Sequence, residues 1–159
     1  MRVEHLSPFA ESCSAVLKAL FGDQPERGAL SVRPQIVTSH QLNLVSCISG
    51  DLEGHVMYGM GMSVADRVAS KILGSPVVTL DASGNAALAE LGSMINNVAR
   101  ELLAAQGVQC AITEPTIVRG RNVKMAGTDM PTLVIPLELK DFGNIEVNVS
   151  VQERKQRVA

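Results

Sequence analysis

Three polar residues between Gly84 and Gln106 have the spacing that a helix needs to present them together. Glu90, Ser93 and Asn97 follow one another at intervals of three and four residues, which places their side chains on one side of a helix. A carboxylate, a hydroxyl and a carboxamide supply hydrogen-bond acceptors and donors together with one negative charge. They form either a face on which a partner docks or an ordinary solvated surface, and the pattern alone leaves both interpretations open.

The segment that carries these residues has the longest helical pattern in the chain. We expect a helix from Gly84 to Gln106, with Gly107 as its C-terminal cap. Gly92 in its middle costs on the order of 1 kcal/mol relative to alanine, which indicates that something approaches the helix backbone closely there. The apolar stripe expected to face the core is Leu88, Leu91, Ile95, Val98 and Leu102, and the outward face is Ala86, Glu90, Ser93, Asn97, Arg100 and Ala104.

Other patterns with a chemical meaning are weak. The stretch Gly59-Met60-Gly61-Met62-Ser63 is similar to a dinucleotide-binding turn, but the third glycine of that fingerprint is absent. The three histidines show no ligand spacing with one another or with the cysteines, so no metal ion or other cofactor of the chain's own is expected. The cysteines lie in apolar stretches and are expected to be small core residues: Cys13, Cys47 and Cys110.

Composition excludes several classes of function. The 159 residues carry 14 Lys and Arg against 16 Asp and Glu, so the chain has no positive field to hold a nucleic-acid backbone. Trp is absent and Tyr occurs once, which removes the aromatic platforms on which bases stack. No apolar run reaches the roughly 18 residues of a membrane span, and the N-terminal residues do not form a signal peptide. We therefore expect a cytoplasmic protein with no nucleic-acid partner and no membrane insertion.

Two further helices are predicted from their capping residues. Ser7 followed by Pro8 predicts a helix over residues 8–22, since proline suits the first helical position. Ser63 and Asp66 have the spacing of a capping box and predict a helix that ends near residue 73. Together with the longer segment described above, these patterns predict three helices.

The remaining patterns predict an antiparallel sheet. Runs rich in β-branched residues follow the first helix and the longest one: SVRPQIVT, LNLVSCIS, HVMYGM, CAITEPTIV, PTLVIPLEL and IEVNVSV. Because strands and helices do not alternate strictly, we expect an α+β domain of two layers, an antiparallel sheet packed against long helices. This single domain is expected over residues 1–152, followed by a frayed tail over residues 153–159.

A set of spaced residues between positions 80 and 124 resembles a known signature. Ala86 is followed four residues later by Glu90, then by Ser93, and Pro115 lies 22 positions beyond Ser93. This segment resembles the signature region of the CheC/CheX/FliY family of chemotaxis phosphatases, most nearly its CheX branch. That family has Asp or Ser, then Glu, then Asn, then Pro at these spacings, so Ala86 and Ser93 depart from the pattern. The flanking ELG, ITEPT and VRGRNVK, and the upstream ISGDLEGHVMYGM, are also similar to CheX.

The resemblance implies a CheX-like fold and a role in chemotaxis or two-component signalling. It implies docking on a phosphorylated receiver of the CheY type and hydrolysis of its aspartyl phosphate, with Mg²⁺ carried by the receiver. Glu90 and Ser93 are then the catalytic candidates, and Ala86, Asn97 and Arg100 are docking candidates. Since a serine hydroxyl is shorter than an asparagine amide, two alternatives remain open. Either Asn97 takes over the role, or the chain binds a receiver or another partner without catalysis.

The resemblance also implies a homodimer formed through sheet edges. IEVNVSV is a β-branched run near the end of the sequence, and we expect it to be the open edge that a second copy covers. A separate basic group, Arg119, Arg121 and Lys124, lies in the predicted loop after ITEPTIV. These side chains either attract an acidic receiver surface or are simply solvated.

Overall fold

The computed structural model describes residues 2–77, 80–124, 130–140 and 143–154. These residues contain three helices and eight strands. The helices are α1 (Val3–Phe21), α2 (Met62–Leu73) and α3 (Ala82–Ala105). The strands are β1 (Glu26–Arg27), β2 (Ser31–Arg33), β3 (Leu42–Gly50), β4 (Leu52–Met60), β5 (Cys110–Ile112), β6 (Thr116–Arg119), β7 (Thr132–Leu139) and β8 (Gly143–Glu153).

The strands form one sheet whose neighbours are antiparallel throughout the described residues. Its order is β1-β7-β8-β4-β3-β5, with β2 also paired to β7 and β6 also paired to β3. The helices cover one face, where alternate strand residues such as Val56 and Val147 are fully buried in the main core. The predicted α+β fold with an antiparallel sheet against long helices is therefore confirmed.

The opposite face of the sheet is crossed by residues 34–41, which connect β2 to β3. Ile36 in this segment is fully buried and packs in a second, smaller apolar cluster with Met57 of β4. The predicted strand SVRPQIVT is wrong beyond residue 33, because Pro34 has no backbone N–H to donate to a neighbouring strand. The chain turns across the sheet at that point instead of extending its edge.

A carboxylate on β8 ties this crossing segment to the sheet. Glu146 Oε1 lies 3.1 Å from Arg33 Nη1 and accepts a hydrogen bond from Ser39 Oγ at 3.0 Å, while its Oε2 lies 3.3 Å from His40 Nε2. The Glu146 side chain is 15% exposed. Burial alone raises the pKa of this carboxyl, but the contacts with His40, Arg33 and Ser39 outweigh it and lower the pKa to about 2.

Strand β8 contains IEVNVSV and is central. It pairs with β4 on one side and β7 on the other, so the expectation that it is an open edge was wrong. Both of its ladders are satisfied within one chain, and the sheet edges are β1 and β2 at one side and β5 and β6 at the other. Glu153 is the last residue of β8, and the N–H of Arg154 donates to the carbonyl of Asp51 at 2.9 Å. The expected frayed tail therefore does not begin at 153, and residues 155–159 lie outside the described residues.

The N-termini of two helices differ from the predictions. Helix α1 begins at Val3, with Pro8 inside it, because Leu6 and Phe9 are buried in the core and the packing outweighs the one backbone bond that proline cannot make. In α2 the predicted capping box is not used. Instead, Gln41 from the segment before β3 accepts the backbone N–H of Met62 at 3.2 Å.

Candidate functional site

The predicted long helix is α3, and its ends are set by caps. At its start, Asp81 Oδ1 accepts the backbone N–H of Gly84 at 3.0 Å. Past its end, Gly107 has a φ of 82°, and its N–H donates to the carbonyl of Ala104 at 2.9 Å. The predicted bounds of the helix are correct to within two residues, and the predicted glycine cap is correct.

The buried side of α3 follows the predicted stripe only in its first half. The first three residues of that stripe are fully buried. Val98 and Leu102 are only partly buried, and Ala99 and Leu103 are fully buried instead. Helix α3 packs against α1 and α2, and a small residue such as Ala99 permits a close helix contact that a search for large apolar residues does not detect.

The outward face of α3 is free of core packing. Ser93 is partly exposed, and the other five predicted members are exposed: Ala86, Glu90, Asn97, Arg100 and Ala104. Glu90 and Ser93 lie one helical turn apart, so their side chains are neighbours. The exposed carboxylate can pair with a cation of a partner, and the neighbouring hydroxyl can both donate to an oxyanion and accept from water. We call this face the docking face.

Pro115 holds the segment before β6 against the middle of α3. A methyl group placed on Gly92 would lie 2.6 Å from Pro115 Cγ and 3.5 Å from Leu44 Cδ1, so only a glycine fits without displacement. This is the close approach for which the mid-helix glycine was the sequence signal. The contact fixes the distance between the docking face and the strand that follows Pro115.

A buried polar network that sequence reasoning missed anchors α3 to the sheet. Asn96 is 4% exposed, its Oδ1 accepts from Tyr58 Oη at 2.7 Å, and its Nδ2 donates to Ser46 Oγ at 3.0 Å. Burial raises the pKa of the Tyr58 phenol, and Cys13 raises it further, so the phenol keeps its proton and donates. The available signal was Tyr58 itself, because a tyrosine within an apolar strand needs a polar partner when buried.

The three basic residues after ITEPTIV are not equivalent in the structure. Arg119 ends β6 and donates from Nη2 to Asn85 Oδ1 of α3 at 3.0 Å. Arg121 and Lys124 are exposed in the following loop, where Lys124 forms a β-bridge with Val37 of the crossing segment. Of these three residues, Arg119 is the one whose side chain bonds to α3 within the described part of the chain.

No metal site is evident among residues 2–77, 80–124, 130–140 and 143–154, where no group of three His, Cys, Asp or Glu lies close enough to hold an ion. Of the cysteines, Cys13 is buried as expected, Cys110 is partly buried and Cys47 is exposed. The expectation of a core position was wrong for Cys47, which lies on the face of β3 opposite the helices and outside the second apolar cluster on that face. In the described part of the chain, no helix is both long and apolar enough to span a membrane.

The fold matches those of known chemotaxis proteins. A CheC-like superfamily protein from Shewanella sp. PV-4 superposes with a TM-score of 0.82 over 96% of this chain and 99% of that one, at 19% identity. The CheX-CheY-BeF3-Mg²⁺ complex from Borrelia burgdorferi contains a chain that superposes with a TM-score of 0.80, at 26% identity, over 96% of this chain and 100% of that one. The architecture is thus that of the CheC-like chemotaxis proteins.

Sequence comparison narrows this class. The family model described as chemotaxis phosphatase CheX matches residues 45–138, more than half of the chain. A CheY-P phosphatase CheX from Thermotoga maritima is 28% identical over 137 residues, which are 86% of this chain and 88% of that protein. The chain belongs to the CheX family of chemotaxis phosphatases, as the resemblance indicated.

Proposed function

We propose that this chain binds a phosphorylated CheY-type receiver through the docking face of α3 and hydrolyses the receiver's aspartyl phosphate. The observation that carries the proposal is the exposure of Glu90 and Ser93, side by side on α3, in a member of the CheX family. A relative in Thermotoga maritima is named for its action on CheY-P, and a neighbour from Borrelia burgdorferi was solved together with CheY. Because such a receiver is an intracellular signalling protein, we place the chain in the cytoplasm.

The proposed reaction is an in-line displacement at phosphorus. A water oxygen attacks the phosphoryl group, the bond from phosphorus to the aspartyl oxygen breaks, and its electron pair returns to the aspartate carboxylate. The water's protons leave to the released phosphate and the solvent. Mg²⁺ carried by the receiver would neutralise the phosphoryl oxygens, so the role left to this chain is to position groups and orient water.

Glu90 and Ser93 divide this role. The exposed Glu90 carboxylate pairs with a lysine of the receiver and sets the position of α3 on it. The hydroxyl of Ser93, one turn further along, accepts a hydrogen bond from the attacking water. Asn97 lies a further turn away on the same face and is exposed, so it is the alternative group for orienting water. Ala86 and Arg100 extend the contact surface at either side.

The proposed function is tested by the lifetime of a phosphorylated receiver. CheY-type receivers from the same genome are phosphorylated with acetyl phosphate, purified from the excess donor and followed with and without this chain. We expect a shortened lifetime that depends on the concentration of the chain. A receiver that is bound but decays at its own rate would make the chain a non-catalytic binding module. Absence of binding to any of these receivers would contradict the proposed function.

We also propose that the chain forms a two-fold dimer through sheet edges. With β8 in the centre of the sheet, the edge that best suits a second copy is β2, where Val32 is 66% exposed and Leu30, just before the strand, is 61% exposed. An exposed apolar edge strand is a template for pairing. Sedimentation of the chain and of Val32→Lys tests this. We expect a dimer for the unaltered chain and a monomer for the variant. An unaltered chain that remains monomeric at tens of micromolar, on the order of the protein concentrations used in such assays, would contradict the proposal.

A further inference from the structure

Arg119 lies beside the first turns of α3, at one end of the docking face. Its Nη2 donates to Asn85 Oδ1 at 3.0 Å, and Asn85 directly precedes Ala86 of that face. The Arg119 side chain is exposed and Asn85 is partly exposed. A guanidinium carries five N–H donors, so one bond to Asn85 leaves most of them available to a partner.

The backbone on both sides of Arg119 is held in place. The carbonyl of Val118 accepts from Asn43 Nδ2 at 3.1 Å, and the N–H of Gly120 donates to the carbonyl of Gln41 at 3.0 Å. Asn43 is fully buried, so this anchor is not exposed to competition from water. The strand that leads to Arg119 is also fixed at its start, where Pro115 packs on α3. Because the backbone of Arg119 is anchored and its guanidinium is already hydrogen-bonded, the side chain loses little further conformational freedom when it binds a partner.

Stability of the fold does not account for a cation at this place. Asn85 is the fourth residue of α3, where the helix dipole disfavours a positive charge. Asp81 lies at the same end of the helix, but its carboxylate already caps the backbone of Gly84. Among the residues that the structure describes, no carboxylate forms an ion pair with Arg119. The charge is therefore ordered, exposed and without a counter-ion from the described chain.

We propose that Arg119, positioned by Asn85, binds a carboxylate on the surface of the receiver that docks on α3. This inference rests on the proposed function. Residue 85 precedes Ser93 by eight positions, which is about 12 Å along a helix at 1.5 Å per residue. If Ser93 faces the phosphoryl group, Arg119 is too far away to touch it. Arg119 therefore determines which receivers bind and how tightly, and takes no part in the chemical step.

The test compares binding with hydrolysis in matched variants. Titration calorimetry measures the affinity for a CheY-type receiver of the same genome, loaded with beryllofluoride and Mg²⁺, at low and high sodium chloride. The variants are Arg119→Gln, which removes the charge, and Asn85→Ala, which keeps the charge but frees the guanidinium. Arg27→Gln on β1, at the opposite edge of the sheet, removes the same charge as a control. Hydrolysis of the phosphorylated receiver is measured at a saturating concentration of the chain.

We expect Arg119→Gln to weaken binding about five- to tenfold at low salt, with a flatter salt dependence, because an exposed ion pair is screened by salt. Asn85→Ala should weaken it about twofold to threefold, and Arg27→Gln should change nothing. The rate at saturation should stay the same in all three. Unchanged affinity of Arg119→Gln, or a lower rate at saturation, would overturn this inference while the proposed function stands. If the unaltered chain binds no receiver, both this inference and the proposed function are contradicted.

Discussion

Pro115 and Gly92 are in such close contact that a methyl group on residue 92 would lie 2.6 Å from Pro115 Cγ. Two residues 23 positions apart in the sequence thereby hold α3 against the segment that leads into β6. The contact joins the helix of the docking face to the strand that ends at Arg119. The position of the docking face thus depends on a residue pair with no reactive groups.

Gly92→Ala should destabilise the chain by about 1–2 kcal/mol, although alanine is the better helix former. The strain of overpacking against Pro115 is expected to exceed the gain in helix propensity of about 1 kcal/mol. Urea denaturation measures the free energy of unfolding. The double variant Gly92→Ala with Pro115→Ala should be less destabilised than the sum of the two single changes, and simple additivity would show that the contact is not the cause.

Glu90→Ala should weaken receiver binding and leave the fold intact, because the carboxylate is exposed and is not part of the core. Leu91→Ala is the matched control. Leu91 is fully buried, so its truncation should cost about 2–5 kcal/mol of stability. Calorimetry of receiver binding and thermal unfolding of both variants distinguish the two roles. An unchanged affinity in Glu90→Ala would place the docking surface elsewhere.

Ser93→Asn should raise the hydrolysis rate. Residue 93 is the member of the docking face proposed to face the acyl phosphate, and an amide reaches further than a hydroxyl and offers a donor and an acceptor on separate atoms. A group that orients a nucleophile contributes on the order of tenfold to a thousandfold in rate. The measurement is the lifetime of the phosphorylated receiver. A variant that binds normally yet hydrolyses nothing would leave only a binding module.

Asn97→Ala separates the two candidates for orienting water. If Asn97 has taken over that role, the substitution should abolish hydrolysis by the otherwise unaltered chain. If Ser93 holds it, hydrolysis should persist at its former rate. Receiver affinity, measured in parallel, distinguishes loss of catalysis from loss of docking. Because Asn97 is exposed on α3, its truncation should change the stability by less than about 0.5 kcal/mol.

Glu146→Gln should make the free energy of unfolding less dependent on pH in the acid range. The pKa of Glu146 is lowered to about 2 in the folded chain, whereas an unfolded glutamate titrates near 4.3. The carboxylate therefore stabilises the fold above pH 4.3, and this contribution is lost as the pH falls toward 2. After allowance for partial exposure, we expect the unaltered chain to lose about 2 kcal/mol more than the variant between pH 6 and pH 2.5. Equal losses in urea titrations at the two pH values would refute this role.

The sequence predicted the helices and the class of the sheet because these depend on local patterns. The 3.6-residue period and the glycine after it located α3 to within two residues. The outward face followed from the same period. The strand order could not be read in this way, because pairing partners are chosen by long-range packing and not by the composition of one run. The composition of IEVNVSV suits an edge strand and a central strand equally well.

The site was predicted where it depends on one helix and missed where it depends on two elements. The exposure of Glu90 and Asn97 follows from the helical period alone. The bonds of Asn96 to Tyr58 and of Asn85 to Arg119 join residues 38 and 34 positions apart, and spacing within a helix does not specify such partners. Asn96 is buried on another side of α3 from the docking face, and its partner is a phenol contributed by β4.

The central place of β8 constrains the order in which the chain can fold during synthesis. Strand β4 ends at residue 60, and its ladder with β8 spans residues 145–153, so the β3-β4 hairpin remains without this partner until the other described strands have been synthesised. Until then β4 and β7 each present an unpaired row of backbone groups. Contacts of such sequence separation form slowly, and unpaired strand edges promote aggregation. A chain cut short before residue 143 would contain two groups of strands without the β8 strand that joins them into one sheet.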